Sequence, residues 1–175
     1  MKKLALILWS VLLLFAWTGC SEEPLDYYNP DVKLFVKQLK SGTYNTKNEI
    51  GTVVVPIFNY THVGELLRYA DDMTEIPSFP LPSISSSYGG KPRLGECILW
   101  IVEGIRIGQP PSMGCKLVQK DALDYEGIYF LSNEQVVEAA SLYRQWWRKI
   151  DTQDSNSLLS YWPFDPLAES DYRWW

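Results

Sequence analysis

Apolar positions along this chain fall into one unbroken run and four blocks at helical spacing, with irregular stretches between them. The unbroken run is Leu4 to Trp17, interrupted only by Ser10. In the first block Val32, Phe35, Val36 and Leu39 recur at i, i+3, i+4 and i+7, which predicts a helix with one buried face. Asn29 reads as its cap, Pro30 as its first residue, Asp31 as the favourable first-turn anion and Ser41-Gly42 as its stop. Lys33, Lys37 and Lys40 fall off the stripe and read as a solvated face. A second helix is predicted over Val63 to Ala70, with Thr61 as cap and Val63, Leu66, Leu67 and Ala70 buried. The third, Leu94 to Ile107, is the most apolar: Leu94, Cys97, Ile98, Ile101 and Ile105 share a face, widened by Leu99, Trp100 and Val102. A helix apolar nearly all round is a central one. The fourth opens on Ser132-Asn133-Glu134-Gln135, a capping box, and keeps its spacing through Val136, Ala139, Ala140, Tyr143, Trp146, Trp147 and Ile150, which carries it to about Lys149.

Between the blocks the pattern changes. Thr52 to Val55 is β-branched, but Pro56 restricts it to an edge strand or an extended loop. Ile76 to Arg93 carries four prolines and a Gly-Gly pair, so regular structure is excluded, while Phe79, Leu81 and Ile84 pin it to the core. Residues 116 to 131 are ambiguous; the segments "KLV" and "IYFL" have the makings of a small hairpin. The tail holds room for one more turn of helix, and Trp174-Trp175 is too apolar to be left in water. Helix starts near 30, 63, 94 and 133 are spaced like a helical repeat without sharing a residue pattern. The expectation is a mainly α fold: one irregular domain of about four to five helices, with weak affinity to stacked helical pairs.

The unbroken run has another meaning. Lys2 and Lys3 precede about 14 apolar residues, too few for the roughly 20 that cross a bilayer, which is the layout of a secretory signal. Thr18-Gly19-Cys20 resembles the end of the bacterial lipoprotein lipobox, with Trp17 where leucine is usual. The resemblance implies lipid attachment at Cys20 and cleavage before it; several acyl chains on one residue make a durable anchor where one would not. Ser21-Glu22-Glu23 is similar to the surface-export signal of Bacteroidetes lipoproteins. The organisation expected is a leader at 1–19, a tether at 20–29 and a helical domain at 30–175, in an outer-membrane lipoprotein exposed at the cell surface.

Charge narrows the partners. Removing Lys2 and Lys3 with the leader leaves 14 basic against 21 acidic side chains, a balance of −7, with no cluster of lysine or arginine. Such an anion has no electrostatic route to phosphate backbones, so nucleic acid is excluded. Cys97 and Cys115 remain after Cys20, and two readings stand. A bridge closes a loop of about 18 residues, worth on the order of 3 kcal/mol in the chain-entropy model. The place of Cys97 inside an apolar stripe favours two unbridged thiols instead.

Candidate chemistry is thin. His62 is the single histidine, beside a cap, and it leaves no two-histidine zinc motif. "SSYGGKP" has the Gly-Lys of a phosphate loop, but Ser85 stands at its first glycine and Pro92 replaces its Ser or Thr. Glu96 and Glu103 lie seven apart, about 10.5 Å along a helix axis, farther than the roughly 6.5–9.5 Å of an inverting glycosidase. The simpler account pairs Glu103 with Arg106 and puts Glu96 in the first turn. Asp71-Asp72 as calcium ligands lack an EF-hand loop. Trp146 and Trp147 point about 100° apart on a helix, so one is either covered by the aromatic tail or free to stack on a ligand such as a sugar ring. No catalytic or metal-ligating set and no cofactor is expected.

The lipobox, "LGECILWIVEGIR" (94–106), "FPLPSISS" (79–86) and "YRQWW" (143–147) together resemble an uncharacterised family of small Bacteroidetes lipoproteins, a domain of unknown function, over about residues 30 to 150. That resemblance implies a mostly helical envelope protein and assigns no site residue. The functional expectation is a non-enzymatic module, held to the membrane through Cys20, that binds a glycan or an envelope protein. The alternative is a hydrolase acting on glycan or peptidoglycan through Glu96 and Glu103, and a purely structural envelope component is a third reading.

Overall fold

Among the described residues, two helices begin on a side-chain acceptor and two end on a left-handed glycine. The computed structural model describes residues 23–81, 90–120, 129–150, 154 and 160–175. Helix α1 is Val32–Ser41, capped by Asp31, whose carboxylate accepts from the Leu34 N–H at 2.7 Å. The cap is therefore Asp31 rather than Asn29, because Pro30 is buried ahead of the helix instead of opening it. Gly42 ends α1 at φ 74°, a left-handed conformation that costs glycine nothing. The second block is less regular than its stripe predicts. Asn59, not Thr61, caps a single 3₁₀ turn, Tyr60–His62, which leads into a short α2, Val63–Leu66, and a further 3₁₀ turn, Leu67–Tyr69. Its four stripe residues are nevertheless all buried.

Helix α3, Leu94–Ile107, is the centre. It packs against α1, α2, the turn that follows α2, and α4. The turn is reached only because residue 95 is glycine: a Cβ there would meet the Ala70 carbonyl oxygen at 2.4 Å, and the Gly95 N–H donates to the Asp72 carbonyl at 2.7 Å. Helix α4, Asn133–Arg148, starts on the capping box read from the sequence, with the Ser132 hydroxyl accepting from the Gln135 N–H and the Gln135 side chain from the Ser132 N–H. Val136, Ala139, Ala140, Tyr143 and Trp146 form its buried face. Among the described residues the fold is thus four helices and one small sheet, mainly α.

Of the two readings of Thr52 to Val55, the extended loop holds; it contributes a lone bridge, Lys47 to Val53. Strand β1, Leu117–Gln119, takes as its partner the C-terminal strand β2, Tyr172–Trp174, antiparallel with Leu117 opposite Trp174. The expected hairpin with "IYFL" survives as one bridge, Val118 to Phe130, flanked by the Gln119 N–H to Tyr129 and Leu131 N–H to Leu117 carbonyl bonds. Ile128, like Ile84 in the proline-rich loop, lies outside the described residues. The tail wins the other edge of β1 because it brings aromatic anchors: the Trp174 indole donates to the Tyr143 hydroxyl at 3.0 Å, and Trp175 meets Phe130 edge-on. Lys120 holds the approach to β2 by donating to the Leu167, Ala168 and Ser170 carbonyls at 2.5 to 3.0 Å.

The N-terminal segment is also part of the body. Leu25 is buried, the Gln38 side chain donates to the Glu23 carbonyl at 2.9 Å, and the Ile57 N–H donates to the Tyr27 carbonyl at 2.9 Å. Within the segment expected as a tether, residues 23, 25 and 27 thus make contacts with the body. No helix among the described residues is long and apolar enough to cross a membrane.

Candidate functional site: an aromatic groove on helix α3

One side of α3 is left partly uncovered, and a groove of about 990 Å³ runs along it. Its floor is Trp100, Ile101, Gly104 and Ile105, residues that helical spacing puts on one side. The segment from Val55 to Tyr60 forms one wall, with Tyr27 beside it, and Gly108–Pro110 with Trp162 and Pro163 form the other. Gly104 deepens the floor: a Cβ there would touch nothing nearer than 3.5 Å, so the missing side chain is not required by packing. The volume suits a small-molecule or peptide site.

The lining carries no charged side chain among the described residues. Its two indoles have already spent their N–H groups inward, Trp100 on the Ser112 carbonyl at 3.2 Å and Trp162 on the Arg106 carbonyl at 3.0 Å. Both rings are half-buried, held edge-on by Phe79 against Trp100 and by Trp147 against Trp162, with Trp146 tilted against Trp162. What the groove presents is mainly ring face and hydrocarbon, with Asn59, Gln109 and the tyrosines Tyr27 and Tyr60 as its polar residues. It offers contact area with modest hydrogen-bonding demand, which suits an apolar occupant.

The residues singled out in the sequence lie elsewhere. Trp146 is buried, its N–H donated to the Tyr161 carbonyl at 2.9 Å, and Trp147 packs beside Trp162 and against Gly64. Neither lines the groove, whose two indoles are Trp100 and Trp162. The signal that existed was i, i+4 spacing of Trp100 with Gly104, which in sequence is indistinguishable from a core stripe.

The two glutamates of α3 are buried in separate networks. The Glu96 carboxylate takes Arg93 at 2.8 Å, Lys116 at 3.4 Å and the Leu117 backbone N–H at 2.7 Å, tying α3 to β1. Arg93 goes on to the Leu131 carbonyl and the Asn133 side chain, reaching the start of α4. The Glu103 carboxylate takes Arg106 at 2.6 Å and the Tyr143 hydroxyl at 2.9 Å, tying α3 to α4. Burial first, then the Glu103 charge, push the Tyr143 phenol well above its ordinary range. No group is shared between the two networks, and neither carboxylate lines the groove. They tie elements together and are not placed as an acid/base pair over one substrate.

The minor candidates have equally local roles. His62 Nδ1 accepts the Asn59 N–H at 3.1 Å and completes a capping box, with its ring edge-on to Phe58. Asp71 pairs with Arg144 at 2.7 Å and Asp72 with Lys40 at 2.5 Å. No group of three or more histidine, cysteine or acidic side chains among the described residues is placed to hold a metal ion. Cys97 and Cys115 are buried thiols with sulfurs 3.0 Å apart, and burial pushes the Cys97 thiol well up. Cys20, Ser21 and Glu22 lie outside the described residues; Glu23 is exposed.

The profile of a family described as a domain of unknown function, DUF4943, matches residues 26–175. The chain belongs to that family. The DUF4943 match extends past residue 150 to the last residue, in keeping with a tail that supplies β2, Trp162 and the Lys120 docking segment. No curated protein and no solved structure matches this DUF4943 chain.

Proposed function

We infer that this DUF4943 protein is a membrane-anchored binding module whose groove takes an apolar segment of a partner protein. The observation that carries the reading is the lining of the groove: aromatic faces, prolines and aliphatic side chains, no charge, and both indole N–H groups satisfied from within. A protein segment fills such a surface with side chains alone, as helices and extended peptides do in hydrophobic grooves. The leader, Cys20 and Ser21-Glu22-Glu23 support an outer-membrane lipoprotein, with lipid on Cys20 and the body exposed at the cell surface, of the kind found in Bacteroidetes. Hydrolysis through Glu96 and Glu103 finds no support in their geometry, since each is closed off by its own partners.

The test is an array of peptides drawn from envelope proteins beside an array of glycans, each probed with the mature chain and with Gly104→Leu. The expected result is peptide binding that the leucine on the groove floor reduces at least tenfold. Binding to glycans alone, or peptide binding untouched by the substitution, overturns the reading. Intact mass of the native protein checks the anchor: acyl chains on Cys20 are expected, and their absence removes the membrane placement.

A further inference from the structure

We propose that the face around Tyr28, Ile50 and Ile57 seats the body on the lipid surface, so that the protein lies against its membrane instead of swinging above it. The proposal rests on the lipid anchor at Cys20 inferred above. Chain length is its first support. Glu23 is already fixed to α1 through Gln38, and Leu25 is buried, so only three Cα-to-Cα steps separate Cys20 from the folded body. Those steps span at most about 11 Å, against roughly 5–7 Å for one headgroup layer. The side of the body nearest the anchor is therefore held close to lipid.

The second support is what that face carries. Ile50 is 85% exposed at the tip of a turn closed by the Gly51 N–H to the Asn48 carbonyl, and it has no packing role to explain an isoleucine there. Its neighbour Glu49 accepts the Tyr28 hydroxyl, which sets the turn beside the N-terminal segment. Ile57, also exposed, is joined by its N–H to the Tyr27 carbonyl on the same segment. Large apolar side chains are thus gathered around Tyr27 and Tyr28, four to five residues along from Glu23, where the chain leaves for Cys20. Tyrosine at the edge and isoleucine at the tip suit the boundary between headgroups and acyl chains, where an amphipathic ring has one end dry and one wet. A short tether keeps this face at high effective concentration over the bilayer, so weak insertion of two or three side chains is enough to hold it down. Tyr27 and Ile57 also belong to the groove wall, which brings the groove mouth to the membrane level and its occupant with it.

The experiment uses the full-length chain matured in its host, reconstituted in vesicles of phosphatidylethanolamine and phosphatidylglycerol, with a nitroxide at Ile50→Cys, at Ile57→Cys, or at Val137→Cys as the reference on exposed α4. An unsubstituted control labelled in parallel corrects for uptake at the buried Cys97 and Cys115. The readout is the ratio of collision rates with oxygen and with a water-soluble nickel chelate. At residues 50 and 57 that ratio is expected to exceed the value at 137 several-fold. Equal ratios at all three sites in protein whose mass shows acyl chains overturn the seating alone. A mass without acyl chains overturns the anchor and the seating together.

Discussion

Helix α3 builds two regions by opposite rules. Toward β1 and α4 it buries Glu96 and Glu103, charged residues that in sequence resemble chemistry and in the fold are fasteners. Toward the groove it offers Trp100, Gly104 and Ile105, residues that resemble core and in the fold are surface. The lesson is that burial, not residue type, separates structure from function in this helix. A buried carboxylate held by an arginine and a second donor is closed to a substrate, whereas a half-buried indole with its N–H satisfied still offers ring surface.

The strongest way to break that contrast is to remove a fastener. Glu96→Gln leaves Arg93 and Lys116 without their anion in the interior, and unpairing a buried ion costs about 3–5 kcal/mol. Urea denaturation is expected to show that loss; a change under 1 kcal/mol would mean that the network does not hold α3 to β1. Next in size is the thiol pair on the same side. Two thiols per mature chain are expected in reductant, and glutathione disulfide is expected to convert them to one bridge while being reduced to two glutathiones. The bridge would add about 3 kcal/mol in the chain-entropy model and, at roughly 2–4 °C per kcal/mol, raise Tm by several degrees. An unchanged thiol count after oxidation would show that the interior denies the pair an oxidant.

The two glycines of α3 sharpen the contrast further, because the same methyl group is added to both regions. Gly95→Ala drives a Cβ into the Ala70 carbonyl and is expected to destabilise by about 1–3 kcal/mol. Gly104→Ala meets only ordinary contacts and is expected to stabilise by about 0.5–1 kcal/mol through helix propensity while making the groove shallower. Thermal unfolding of both variants should move in opposite directions; a shift of the same sign would erase the distinction.

The smallest expected effect is at high pH. Burial first, then the bond to Glu138, push the Tyr172 phenol up to about 12, and Tyr143 is raised still more firmly by burial and Glu103. Raised folded values mean that this stability is complete below the ordinary tyrosine range near 10 and is lost as pH climbs through the folded values. Denaturation midpoints should fall between about pH 10 and 12, and Tyr172→Phe should flatten part of that fall.

Much of the helical frame was legible from local signals. The bounds of α3 and the cap of α4 followed from spacing, a first-turn capping box and a terminal glycine, all of which act within one or two turns. The start of α1 was misplaced by two residues because Asn29 and Asp31 are both good caps, and only the burial of Pro30 separates them. The partner of β1 was not legible at all. Phe130 and Tyr172 are both suitable neighbours, and the choice depends on Trp174 reaching Tyr143 across the chain.

By itself the sequence determined the helices, their buried stripes and the acidic balance. The tertiary structure alone decided which tryptophans line the groove and which carboxylates are closed off. Those depend on what a side chain meets from distant parts of the chain: Trp146 is covered because Tyr161 and Trp162 return to it, whereas Trp100, held by Phe79 and Ser112, keeps a side toward the groove.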